Sequence, residues 1–446
     1  MLSSPDRRVV ARDRNLVGLA LLLDEQRALS AFRDAWPHHR LEALATTYLS
    51  YKPGVRCLAG YLGQTPDGPV RWHAKAYTAG EYAQVRVATA QGPSEGSASA
   101  PWLLDDQCVA AWQFPTDRNL VGLSDLASAA RRARWLRKRL PDDPALWGAR
   151  LDTLRYKPER RYVGKLTATE RTEALVKVYD PHDFENAWRA AKVVQAWTVG
   201  EPLIVSRPLG RSKGRRFIVS QWLAGEPLSD VLRGADGSVQ HHRAVGAALA
   251  EIHRQAPGCL ARSAPEDGAM AVLAAANAVA WLSPELTRRA RRLAARIAAE
   301  LLAEPGDQRP IHSDFSAEQV LVSDHGIGII DYDQMRLGDP AADFGTYLAW
   351  LEWNEVCGAL PAGNTEGIAE ALNDGYCRQA QCRQPYHIDL HVAAGLLRLA
   401  PHCFRARHAD WPTQIEQVMR HAAQRLRDHA RHHQPVHEAT VSSSDR

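Results

Sequence analysis

The heptapeptide Asp13-Arg14-Asn15-Leu16-Val17-Gly18-Leu19 returns unchanged as Asp117 to Leu123, and a chain that repeats itself at that separation builds one supersecondary unit twice. The register continues downstream. Tyr51-Lys52-Pro53-Gly54-Val55-Arg56 aligns with Tyr156-Lys157-Pro158-Glu159-Arg160-Arg161, and His73-Ala74-Lys75-Ala76-Tyr77 aligns with Leu175-Val176-Lys177-Val178-Tyr179. Cys108 to Trp112 then pairs with Ile218 to Trp222, so the copies run over residues 9–112 and 113–224. Each copy reads as a helix, then alternating apolar and polar residues across a hairpin, then a short strand carrying one Lys. In the second copy Leu151 to Leu166 suits paired strands and Ala174 to Tyr179 the next strand. Phe184 to Trp197 has helical spacing, and Phe217 to Leu223 reads as a buried strand ending at Gly225. Beyond residue 225, helical apolar spacing marks Ala244–His253, Pro284–Leu302, Ile368–Ala380, His391–Leu399 and Pro412–His429, with one break from Pro310 to Asp343.

A length of 446 residues exceeds what one core organises, so two or three packed units are expected. A composition of 45% hydrophobic and 24% charged residues excludes a wholly disordered chain. The net charge of +4 is too small to call for nucleic acid or an anionic membrane. No apolar run is long enough to span a bilayer, and the start leads into charge rather than a signal-peptide core, so a cytoplasmic location is expected. The seven cysteines are scattered without a Cys-x-x-Cys pair and read as reduced thiols.

The break carries the chemistry. His312-Ser313-Asp314-Phe315-Ser316-Ala317-Glu318-Gln319 runs into Val320-Leu321-Val322, a turn, and Gly328-Ile329-Ile330-Asp331-Tyr332-Asp333. Two short apolar strands flank a tight turn, with one carboxylate before the hairpin and two after it, and the hairpin brings Asp314 and Asp331 into one site. Phosphoryl transfer requires such a set: one carboxylate to accept a hydroxyl proton, and hard oxygen ligands for magnesium.

This pattern resembles the aminoglycoside phosphotransferase and choline kinase group, relatives of protein kinases whose catalytic loop reads His-x-Asp with Asn five residues later. His312-x-Asp314 matches, Gln319 stands at the Asn position, and Ile329-Ile330-Asp331 is similar to the group's metal-binding segment. Gly338-Asp339-Pro340-Ala341-Ala342-Asp343-Phe344 resembles the Gly-Asp-Pro-x-x-Asp-Leu segment that follows. The resemblance covers residues from about 117 to 430. It implies an α+β, bilobal protein-kinase-like fold, with a small antiparallel-sheet lobe over 113–224 and a mostly helical lobe over 225–432. An extra small-lobe-like domain would occupy 1–112 and a flexible tail 433–446.

The same resemblance implies ATP or GTP with Mg2+ as cofactors, and transfer of the γ-phosphate to a hydroxyl of a sugar, an amino alcohol or an aminoglycoside-like molecule. Asp314 would be the base, with His312 holding the loop, and Gln319, Asp331 and Asp333 would face the metal. Lys177 would hold the α and β phosphates, and Gln221 and Leu223 would lie at the adenine-binding hinge. The turn that replaces a Gly-rich phosphate loop contains no glycine, so Lys157 and Arg160 would contact phosphate through their side chains; an exposed basic turn fits the residues equally. Glu185 is the available partner for Lys177. Asp333 is either a second metal ligand or a turn cap, and Asp339 and Asp343 suit an N-cap and a loop anchor. With eight lysines in the chain, one in each copy at Lys75 and Lys177 and another at Lys52 and Lys157 argue against chance.

Residues 1–112 lack a catalytic half of their own and read as a cap on the true small lobe. The rival reading is a catalytically impaired kinase-like protein that binds a nucleotide or a protein partner, because Gln is one methylene longer than Asn. A protein kinase is disfavoured, since no Ala-Pro-Glu follows Asp331. The basic helix Ser128–Leu140 suits a solvated surface or an anionic partner, Trp350, Trp353 and Trp411 suit a core or a sugar platform, and His429, His432, His433 and His437 suit a polar tail or a metal. Neither nucleic acid nor membrane is expected as a partner, and the oligomeric state is not legible.

Overall fold

The computed structural model describes residues 2–91, 100–169, 172–234, 239–303, 306–381, 385 and 387–432. The tail over 433–446, including His433 and His437, lies outside the described residues. The first copy comprises α1 (Ser4–Arg12), α2 (Leu19–Leu23), α3 (Glu25–Ala35), β1 (Ala43–Lys52), β2 (Arg56–Thr65), β3 (Gly68–Tyr77), α4 (Ala79–Ala90), β4 (Trp102–Leu104) and β5 (Val109–Gln113). The second comprises α5 (Leu123–Ala127), α6 (Ala129–Arg139), β6 (Arg150–Lys157), β7 (Arg161–Thr169), β8 (Thr172–Tyr179), α7 (Pro181–Ala196), β9 (Leu203–Val205), β10 (Pro208–Ser212) and β11 (Phe217–Gln221). The sheet orders, β1-β2-β3-β5-β4 and β6-β7-β8-β11-β10, are one topology drawn twice.

The repeated heptapeptide explains why. Asp13 Oδ2 accepts from Tyr51 Oη at 2.7 Å and from Gly54 N at 2.9 Å. Asp117 Oδ2 accepts from Tyr156 Oη and Glu159 N at the same two distances. Each Asp thus clasps the first hairpin turn of its own copy, whose tip residue is left-handed in both (Gly54 φ 68°, Glu159 φ 58°). The motif glycines serve a second closure. A Cβ on Gly18 would lie 2.6 Å from the Gln107 carbonyl oxygen, and one on Gly122 would lie 2.5 Å from that of Arg215, so both helix starts press on the segment before the last strand. Leu16, Leu19, Leu120 and Leu123 fill the cores behind them.

The remaining chain comprises β12 (Glu226–Pro227), α8 (Leu228–Val231), α9 (Val239–His253), α10 (Pro265–Leu282), α11 (Thr287–Ala303), β13 (Arg309–Ile311), β14 (Val320–Ser323), β15 (Gly326–Ile329), β16 (Arg336–Gly338), α12 (Ala341–Val356), α13 (Thr365–Ala380), α14 (Ile388–Leu399), α15 (His402–Arg405) and α16 (Trp411–His432). Helix α10 was not expected from spacing, because its run Ala269 to Ala280 is almost wholly small and apolar and offers little contrast between faces. No described helix is long and apolar enough to cross a membrane.

The first copy packs on the helical lobe as well as on the second copy. Its buried residues join those of α9 to α16 in one continuous core, while the second copy's sheet keeps a separate one. Arg407 grips Asp6 through two bonds of 3.1 and 2.8 Å, Trp411 Nε1 donates to Asp6 at 3.2 Å, and Trp281 Nε1 donates to Tyr51 Oη at 3.0 Å. Trp411 and Trp350 are therefore packing residues rather than an exposed sugar platform. The basic helix α6 is tied into its own lobe, with Arg132 donating to the carbonyls of Leu126 and Ala149.

Candidate active site

The catalytic-type loop between β13 and β14 is held by a buried carboxylate. Asp343, fully buried at the start of α12, accepts from His312 N at 2.7 Å and from Ser313 N at 2.8 Å, and His253 Nε2 lies 3.1 Å from it. His312 Nε2 is 2.8 Å from the Ile330 carbonyl oxygen, which ties this loop to the residue before Asp331. Asp331 itself is left-handed (φ 66°), as is Ser313 (φ 69°), so both turns store backbone strain where the Asp314 and Asp331 side chains emerge. The hairpin register pairs Val320 with Ile329, and Ile330 N donates to the Gln319 carbonyl at 3.0 Å, which sets Gln319 beside Asp331.

Four charges meet beneath the second sheet. Lys177 on β8 donates to Asp331 at 2.7 Å and to Asp333 at 3.1 Å. Arg161, the first residue of β7, grips Asp331 through bonds of 2.9 and 3.1 Å and reaches Asp333 at 2.7 Å. Tyr179 Oη donates to Asp333 at 3.1 Å. Burial works to raise the Asp331 carboxyl, but Lys177 and Arg161 overcome it and hold it well below the usual carboxylate range. Burial pushes the Asp333 carboxyl up, Lys177 opposes that rise and the Asp331 charge adds to it.

Asp314 opens onto the cleft. Enclosure by the surrounding protein raises its carboxyl; His312 opposes the rise, and the negative charge of Asp331 adds to it. Lys157 stands near both, its ammonium pushed down to about 8 by burial and then by Arg155, Arg161 and Arg160. Across the cleft, Arg398 of α14 feels Asp314 and Arg336. Burial, then Arg405, Arg398 and Lys157, push the His402 imidazole down to about 4, which leaves it neutral at pH 7.

Asp314, Asp331, Asp333, His312, Lys177 and Lys157 thus converge, and Gln319 adjoins them. The structure gives Lys177 other partners than Glu185, which is exposed on α7: the two carboxylates after the hairpin already neutralise the ammonium. Arg160 turns outward to Asp183 at 3.5 Å, and its neighbour Arg161 enters the cleft instead. Arg160 closes the turn onto the Lys157 carbonyl, whereas Arg161 is the first residue fixed in the sheet, opposite Lys157 and Tyr179; the alignment of Arg161 with Arg56 was the available signal. Gln221, exposed at the end of β11, bonds through its backbone to Arg207 and accepts from Ser206 Oγ. Leu223 reaches toward Gly328 on β15, where a Cβ would lie 3.4 Å from its methyl.

Residues 159–396 match the family model of the phosphotransferase enzyme family. The chain belongs to this family. It is accordingly a phosphotransferase, and its first copy lies wholly outside the matched segment. No curated protein matches the chain. Among solved structures it is similar to a choline kinase from Cryptosporidium parvum Iowa II, at 11% identity over 67% of this chain and 96% of that one, with a TM-score of 0.45. It is also similar to a choline/ethanolamine kinase family protein from Mesorhizobium loti, at 14% identity over 68% of this chain and 98% of that one, TM-score 0.45. A thermostable aminoglycoside phosphotransferase mutant shares 14% identity over 63% of this chain and 95% of its own, TM-score 0.44.

The donors fit a hard divalent cation in kind. Among the described residues no three His, Cys, Asp or Glu side chains are grouped for a metal. Two carboxylates and the Gln319 amide are nevertheless the oxygen ligands magnesium uses when phosphates complete its shell. In this structure the positive charge they call for is supplied by Arg161 and Lys177.

Proposed function

We propose that the protein transfers the γ-phosphoryl group of ATP or GTP to a hydroxyl of a small molecule, with Asp314 as the base. The observation that carries the reading is the meeting of the exposed Asp314, its carboxyl raised by its surroundings, with the Lys177–Asp331–Arg161 cluster in one cleft. The substrate oxygen would attack the γ-phosphorus, the bond to the β–γ bridging oxygen would break, and the hydroxyl proton would pass to Asp314. Lys177, Lys157 and Arg161 would hold the phosphates, and Asp343 would keep the loop in place through His312 and Ser313. Gln319, Asp331 and Asp333 would hold magnesium, which when bound neutralises phosphate charge. Residues 1–112 would act as a cap braced on both lobes.

The charges around Asp314 favour a neutral or anionic acceptor. Lys157, Arg161 and Arg398 all act on it, and Arg336 and Arg405 lie behind them. A polycationic aminoglycoside would meet like charge there, which makes a sugar or a hydroxy acid the better candidate.

The rival reading, nucleotide binding without turnover, draws on the two-pronged hold of Arg161 on Asp331, which occupies both carboxylate oxygens. Asp314→Asn separates the two. Under the proposed function it abolishes transfer to every accepted hydroxyl while calorimetry still records nucleotide binding; an unchanged rate refutes the base assignment, and no turnover by the wild type over a broad panel of sugars, amino alcohols and hydroxy acids favours the rival.

A further inference from the structure

We propose that the first copy retains an anion-binding site of its own, built for a di- or triphosphate group. The strand registers match residue for residue. Lys52 faces Arg56 across β1 and β2, Arg56 faces Tyr77 and Leu58 faces Lys75 across β2 and β3. In the second copy Lys157 faces Arg161, Arg161 faces Tyr179 and Val163 faces Lys177. Lys52, Arg56, Lys75 and Tyr77 therefore share one sheet face, in the arrangement that surrounds Asp331 and Asp333 in the second copy.

The difference is in the counter-charge. In the second copy two carboxylates from the helical lobe neutralise the cations. In the first, Lys75 pairs with Glu159 at 2.6 Å, and Lys52 and Arg56 have no carboxylate partner among the described residues. Two cations directly opposite each other on an antiparallel pair cost stability unless something negative lies between them. They line a cavity of about 590 Å3 with Lys75, Tyr77, Glu81 and Arg118. Glu81 is engaged in capping α4, accepting from Thr78 N and Oγ1, and Arg118 reaches Tyr77 Oη at 3.4 Å. Among the described residues four cations stand against two carboxylates, with a phenol and two guanidinium forks among them, a setting for phosphate oxygens.

The site is wired to the active-site turn. Glu159, which takes Lys75, is the turn residue clasped by Asp117 and stands two positions before Arg161. An anion on Lys75 competes with Glu159, so occupancy of the first copy alters the turn that carries Lys157 and Arg161.

The test is calorimetric titration of sodium pyrophosphate into the full chain, wild type against Lys52→Ala/Arg56→Ala. Both side chains are exposed and outside the second copy's cluster. Each lost charged hydrogen bond is worth about tenfold in affinity, so the double variant should lose one class of site by about a hundredfold and keep the other. An isotherm identical to the wild type's overturns the proposal, as does a wild type with a single class that the variant leaves intact. Thermal unfolding provides a second reading: pyrophosphate should raise the wild-type midpoint more than the variant's, and equal rises count against the site. Tripolyphosphate and ATP separate the sources: equal affinity for the first-copy class identifies the phosphate chain alone as ligand, and tighter ATP binding identifies a nucleotide.

Discussion

Arg161→Ala tests the balance of charge in the cleft. The guanidinium makes three bonds of 2.7 to 3.1 Å to Asp331 and Asp333, and the three side chains are only 10 to 15% exposed. Removing one partner of a buried ion pair costs about 3–5 kcal/mol, because the remaining charge stays desolvated. Here Lys177 remains, and Asp333, already pushed up by burial, can take a proton at about 1.4 kcal/mol per pH unit, so a net loss of about 2–3 kcal/mol at pH 7 is expected. In the variant the Asp333 carboxyl, already raised by burial and by the Asp331 charge, loses an opposing cation and rises further, so the penalty is present above the ordinary carboxylate range and is relieved as pH falls through the raised native value. Urea unfolding followed by tryptophan fluorescence should show the gap between variant and wild type narrowing from pH 7 to pH 5. Magnesium should stabilise the variant more than the wild type, because the metal supplies the missing charge without displacing a guanidinium. Arg161→Lys, which keeps charge without the fork, should fall between them. Equal unfolding midpoints and an equal magnesium response would refute the claim that Arg161 neutralises the acid pair.

Nucleotide affinity should be constant below pH 8 and fall above it, because the Lys157 ammonium, lowered to about 8, loses its proton there unless phosphate holds it; a flat calorimetric profile from pH 7 to 9.5 would exclude Lys157 as a phosphate contact. Asp6→Asn should cost about 3 kcal/mol at neutral pH, measured by urea unfolding, because it breaks the buried grip of Arg407. Burial opposes the charge of Asp6, but Arg407 depresses its carboxyl below the ordinary value, so that stability is present at neutral pH and lost as pH falls through the depressed value; a wild-type-like acid limb would contradict it. A chain beginning at Gln113 should aggregate or unfold at lower temperature than the full protein, since it uncovers the core that Val9, Leu22 and Phe32 share with the helical lobe; a monomeric chain with an unchanged midpoint would refute the brace.

The two copies were legible because their decisive contacts are local. Asp117 clasps a turn about forty residues on, and the residues that make the clasp recur together, so the pattern survives in one sequence. The loop from His312 to Asp333 was legible for the same reason: a hairpin of four-residue strands fixes which side chains meet. The partner of Lys177 was not. Its carboxylates lie 154 and 156 residues downstream, and nothing in the spacing around Lys177 distinguishes them from Glu185, eight residues away. Which of two adjacent arginines enters the cleft depends on strand phase, and one residue of slip would have exchanged them. The same phase carries Arg56 in the first copy, where no carboxylate among the described residues pairs with it. The cations recur because they are local to the sheet, and the acids do not because they belong to another part of the chain; among the described residues Lys52 and Arg56 are therefore left without a carboxylate, while Lys75 finds one in Glu159.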